Sequence, residues 1–77
     1  MLVGNDSLYD LVLYIEYIKS KSFVKFLYDN NLFDYEISEV ADGYYIELNR
    51  LTDEMCSYIL FTSDYTKFIK MKSIMDA

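Results

Sequence analysis

Seventy-seven residues with a net charge of −6, no His and a single Cys describe one small acidic domain. The lone Cys56 excludes an internal disulfide framework, and without His there is neither a usual zinc ligand set nor a ready general base near neutral pH. Hydrophobic residues make up 53% of the chain, nine Tyr and five Phe among them, a composition able to bury a core rather than one that stays disordered.

In chain order, Ser7 and Asp10 give the S-x-x-D form of a capping box, and Leu8, Leu11, Val12, Ile15 and Ile18 follow at helical spacing. The spacing predicts a helix from about Leu8 to Asp29. Asp6, Asp10 and Glu16 lie toward its start and Lys19, Lys21 and Lys25 toward its end, the order that complements the helix macrodipole. Ser20-Lys21-Ser22 is its weak point, and Asp29-Asn30-Asn31 ends it, since Asn tolerates the left-handed conformation at a helix C-terminus.

A hairpin follows. Asp34 to Val40 and Tyr44 to Asn49 flank Ala41-Asp42-Gly43, and Asp-Gly between two alternating runs is a strong turn signal. Tyr35, Ile37, Tyr44, Ile46 and Leu48 share the predicted core face. Glu36, Ser38, Tyr45, Glu47 and Asn49 share the predicted outer face.

The last third reads two ways. In the preferred reading Met55 to Thr62 is a third strand, and Ser63 caps a final helix from about Asp64 to Met75. In the other, Thr52 caps one long helix with Asp53 and Glu54 in its first turn and Lys67, Lys70 and Lys72 in its last. The β-prone run Tyr58-Ile59-Leu60-Phe61-Thr62 and the weakness of an isolated hairpin favour the first. The expected fold is thus a single α+β domain over residues 1–77. It has two layers, made of an N-terminal helix, an antiparallel β-meander of two or three strands and a C-terminal helix.

The charge is unevenly placed. Residues 34 to 54 hold seven acids (Asp34, Glu36, Glu39, Asp42, Glu47, Asp53, Glu54) and one base, Arg50, so the whole −6 arises there. Residues 1 to 33 sum to −1 and residues 55 to 77 to +1. Neighbouring acids on one face of a strand stand about 7 Å apart and adjacent strands about 5 Å apart. A hairpin bearing Glu36, Asp42 and Glu47, extended by Asp53 and Glu54, would form a loose anionic array, while duplex DNA has one charge per ~3.4 Å on each strand. Such an array selects cationic partners. The plain alternative is a solubilising, edge-protecting face.

Glu36, Glu39, Asp42, Glu47, Asp53 and Glu54 are the candidate charges of a partner site, and Tyr45 on the outer face is its candidate aromatic anchor. No nucleophile–base pair or glycine-rich phosphate loop can be assembled, the only glycines being Gly4 and Gly43. Enzymatic activity and a cofactor are therefore not expected. Cys56 is expected in the core. The split basic residues disfavour direct nucleic-acid binding.

The start of the chain lacks signal-peptide order, and the longest charge-free run, Met55 to Ser63, is nine residues against the roughly 20 that span a bilayer. No membrane association is expected, and the expected location is the cytoplasm of a host cell.

In size, acidity and Tyr content the chain resembles the small acidic phage proteins that disable host defence or transcription machinery, anti-CRISPR proteins and DNA mimics among them. The resemblance is one of composition over the whole chain and carries no motif. It implies a non-enzymatic inhibitor that occludes the nucleic-acid groove of a basic host protein, such as a CRISPR effector. The rival expectation is a structural or regulatory interaction module, a homodimer whose acids serve only solubility.

Overall fold

The computed structural model describes residues 8–63 and 66–74. The elements run β1 (Tyr9–Glu16), α1 (Tyr17–Asp29), β2 (Tyr35–Val40), β3 (Gly43–Leu51), α2 (Asp53–Thr62) and β4 (Lys67–Ser73). The four strands form one sheet in the order β2-β3-β1-β4, with every neighbouring pair antiparallel. This β-α-β-β-α-β order with β1 and β3 at the centre is the ferredoxin-like, split β-α-β arrangement.

The class is α+β as expected, but the layout is not a helix, a meander and a helix. Tyr9–Glu16 is the strand at the heart of the sheet, not the first half of a helix. Its apolar residues fit both periods: Leu11, Leu13 and Ile15 alternate, while Leu11, Val12, Ile15 and Ile18 match a helix. Flanking strands decide the matter, because a central strand buries one face fully and the other in part. Leu11, Leu13 and Ile15 are each wholly buried. The proposed Ser7 cap lies outside the described residues.

The hairpin and its facing are as read. Val40 pairs with Gly43 across Ala41-Asp42, and Ile37 and Ile46 oppose each other on the inner side. Gly43, however, does not have a positive φ. It is needed for space, since a Cβ there would meet the carbonyl oxygen of Ile15 and stand 2.8 Å from the Tyr14 hydroxyl.

The last third reverses the preferred reading. Met55 to Thr62 belongs to α2, and Lys67–Ser73 is a strand. Thr52 caps α2, its Oγ1 accepting from the Met55 amide at 3.1 Å, with Asp53 and Glu54 in the first turn. That start follows the alternative reading, but the helix ends at Thr62 rather than running on to the lysines. In β4 a register shift opposite Val12–Leu13 interrupts the alternation, which hides the strand in the sequence. The proposed helix start at Asp64 and end at Met75 lie outside the described residues.

The end of α1 is as read. Asn31 sits at φ 59, the Leu32 amide donates to Leu27 O at 2.8 Å and the Asn31 amide to Tyr28 O at 3.1 Å, the two bonds of a Schellman motif. Both helices cover the same sheet face. Phe23 and Leu27 of α1 and Cys56 and Ile59 of α2 pack with Leu11, Leu13, Ile15, Ile46 and Leu48. Cys56 is in the core, and burial, then nearby Asp53, pushes its thiol above the ordinary value. Phe26 stacks on Phe23 and on Tyr58, joining the helices. Neither helix described is long and apolar enough to cross a membrane.

Gly43→Ala is expected to lower the free energy of unfolding by about 1–3 kcal/mol, because the β1–β3 backbone contact must open to admit the methyl group. An unchanged midpoint in urea unfolding would contradict this role.

Candidate functional site

With both helices on one face, no described element covers the opposite face of the sheet. Asp10, Val12, Tyr14 and Glu16 of β1 line its middle, since their neighbours Leu11, Leu13 and Ile15 point into the core. Tyr45, Glu47 and Asn49 of β3 adjoin them, Tyr14 opposite Tyr45 and Val12 opposite Glu47. Glu36 and Ser38 supply the β2 side, paired with Glu47 and Tyr45. Lys67, Lys70 and Lys72 supply the β4 side, paired with Tyr14, Val12 and Asp10.

Tyr14 and Tyr45 form an edge-to-face pair, with centroids 5.9 Å apart and an interplanar angle of 72°. A shallow hollow of about 340 Å³ opens beside them, with Val12 and Ile69 as its apolar lining and Glu36, Glu47 and Lys70 around it. Tyr45 is 44% exposed, so the predicted anchor is available. Glu36 and Glu47 are direct cross-strand neighbours. Like charges in that position repel, at a cost of the order of 0.2–1 kcal/mol. Lys72 Nζ lies 3.7 Å from Glu47 Oε2, and Glu36 has no ion pair with any described residue.

The other expected site residues are distributed differently. Asp42, in the hairpin turn, accepts a hydrogen bond on Oδ1 from the Tyr14 hydroxyl at 2.7 Å. Glu39 is on the helix side of β2, where its Oε2 accepts from the Tyr17 hydroxyl at 2.8 Å. Tyr17 also donates to Val40 O and packs edge-on against Tyr44 at 5.0 Å. These two phenol–carboxylate bonds clasp the hairpin end to β1 and α1 from opposite sides. Each carboxylate favours the neutral phenol, so both phenols are pushed up to about 12, first by the hydrogen bond and then by burial.

Asp53 and Glu54 sit at the start of α2, in the helix layer. The length of β3 separates them from Asp42, roughly 25 Å at the usual rise per residue. Asp34 pairs with Arg50 at 3.1 Å instead of facing solvent alone. The structure thus brings together Glu36, Tyr45 and Glu47, sets Asp42 at their rim, and separates Glu39, Asp53 and Glu54 from them.

Tyr14, Val12, Ile69 and the β4 lysines belong to this face and are missed when Tyr9–Glu16 and Lys67–Ser73 are read as helical. The signal for the first was present, as the alternation Asp10, Val12, Tyr14, Glu16. Among the described residues no group of three metal-ligating side chains gathers. No family model, curated protein or solved structure matches the chain.

The clasp has a pH signature. Each folded phenol titrates above its unfolded value of 10.0, so its contribution to stability is complete below pH 10 and is lost as pH rises toward 12. A phenolate absorbance titration should show late-ionising phenols, and Tyr14→Phe and Tyr17→Phe should each remove one. A titration curve whose late step survives both substitutions would contradict the clasp.

Proposed function

We propose that this chain is a non-enzymatic binding inhibitor whose open sheet face engages a basic, nucleic-acid-handling protein and occludes its groove. The reading rests above all on the Glu36–Glu47 pair. Two carboxylates stand opposite one another beside a half-exposed tyrosine; Lys72 lies 3.7 Å from Glu47, while Glu36 has no ion pair with any described residue and adds only repulsion to the fold. A lysine or arginine from a partner inserted between them removes the repulsion and gains charge-assisted hydrogen bonds.

Tyr45 and the apolar lining of the hollow give that cation's stem something to pack against. The charges speed encounter, and the aromatic contact governs how long the complex lasts. The anionic surface in this reading is narrower than a duplex mimic. It is an acidic half-face of Glu36, Glu47, Glu16 and rim-lying Asp42, which also serves the fold, while Glu39 lies on the helix side.

Glu36→Gln tests this directly, since it removes the repulsion while preserving shape. The substitution is expected to raise the free energy of unfolding by a few tenths of a kcal/mol. It should also weaken, by tenfold or more, salt-sensitive capture of a basic protein from host lysate on the immobilised chain. Capture equal to wild type, or insensitive to salt, would contradict a site built on this pair.

A further inference from the structure

The two edges of the sheet carry opposite charge. The β2 edge has Glu36 and Glu39 and no base, with Asp34 and Asp42 at its ends. The β4 edge has Lys67, Lys70 and Lys72 and no acid, and all seven of its residues are exposed. Among the described residues each edge strand pairs on one side only. We propose that copies of this chain join head to tail, the β4 edge of one copy adding to the β2 edge of the next.

The topology permits this without strain. Three antiparallel steps separate β2 from β4, so the two edges run in opposite directions. A second copy in the same orientation therefore continues the antiparallel alternation and keeps its helices on the same side. Charge selects this joint over the alternatives. Two β4 edges would oppose lysines to lysines, and two β2 edges would oppose glutamates to glutamates. Edge lysines ordinarily block pairing. Here they block like edges and favour the unlike one. On the open side, Lys67 and Lys70 of one copy meet Glu36 and Ser38 of the next.

The inner side supplies apolar complementarity. Phe68 and Met71 pair with Leu13 and Leu11 in register, so they face the helix side, yet they remain 51% and 40% exposed. On the β2 side a hollow of about 210 Å³ lies between α1 and the sheet, walled by Val24, Ile37, Tyr44 and Ile46. Phe68 from the adjoining copy is placed to enter it. Such a heterologous contact does not close at two copies. Each copy adds four strands, roughly 19 Å of sheet, and a twist of about 80–100°, which makes an open helical array. The joint leaves Tyr45 and Glu47 on the open face of every copy but engages Glu36, so it competes for that carboxylate with the partner site proposed above.

The test is the light-scattering mass of the full chain as a function of concentration and salt. At low salt the mass should climb past that of a dimer as concentration rises, and at molar salt it should fall to that of a single chain. Lys67→Glu/Lys70→Glu and Glu36→Lys/Ser38→Lys should each remain monomeric, and mixing the two should restore growth. Phe68→Ser should weaken association about tenfold or more. A wild-type chain that stays monomeric at low salt overturns the proposal. So does a closed dimer indifferent to salt, or a mixture of the two charge variants that fails to associate.

Discussion

Everything in this molecule depends on the burial of β1 between β3 and β4. Leu11, Leu13 and Ile15 lose all solvent contact there, against Ile46 and Leu48 of β3 and against Phe23, Leu27, Cys56 and Ile59 of the helices. Removing one such leucine side chain costs about 2–5 kcal/mol, against a total stability of only about 5–15 kcal/mol for a domain. A central strand with one fully buried face also fixes where the helices go. Both cover that face, so among the described residues nothing covers the other face and the outer strands β2 and β4 are left as edges. The candidate site and the proposed joint between copies are both consequences of that placement.

The acids divide by the work they do in the fold. Asp42 and Glu39 accept from Tyr14 and Tyr17 and hold the hairpin end against β1 and α1. Asp34 pairs with Arg50, whose left-handed backbone sits where the β1–β3 register shifts. Asp53 and Glu54 favour the positive end of α2. Glu36 has no such duty, and its position opposite Glu47 is unfavourable for the isolated domain. That contrast gives the proposed binding face its basis, and it narrows a cluster contiguous in sequence to a pair contiguous in space.

The sequence was most legible where a local signal has one meaning. The Asp-Gly hairpin, the inner and outer faces of β2 and β3 and the Asn31 helix stop follow from residues within a few positions of one another, and the burial of Cys56 follows from its residue type alone. Tyr45 and Glu47 share a face in the sequence for the same reason. Legibility failed where two periods fit the same residues or where a distant strand decides. Tyr9–Glu16 satisfies both the helical and the alternating template, and only pairing with β3 and β4 selects the strand. In β4 the bulge breaks the alternation of Lys67, Phe68, Lys70, Met71 and Lys72, so its lysines looked like the end of a helix. The run Tyr58 to Thr62 has β-prone side chains, but the Thr52 cap and the Cys56–Ile59 stripe prevail over intrinsic preference.

The most direct test of this account is an NMR measurement of β1 in the intact chain. Cross-strand NOEs from Val12 to Glu47 on one side and from Leu13 to Phe68 on the other are expected, with the amides of residues 11–15 exchanging only through global unfolding. Sequential helical NOEs running from Tyr9 into α1, or fast exchange at Leu11 and Leu13, would contradict the central strand. The open face and the opposed edges would then lose their basis.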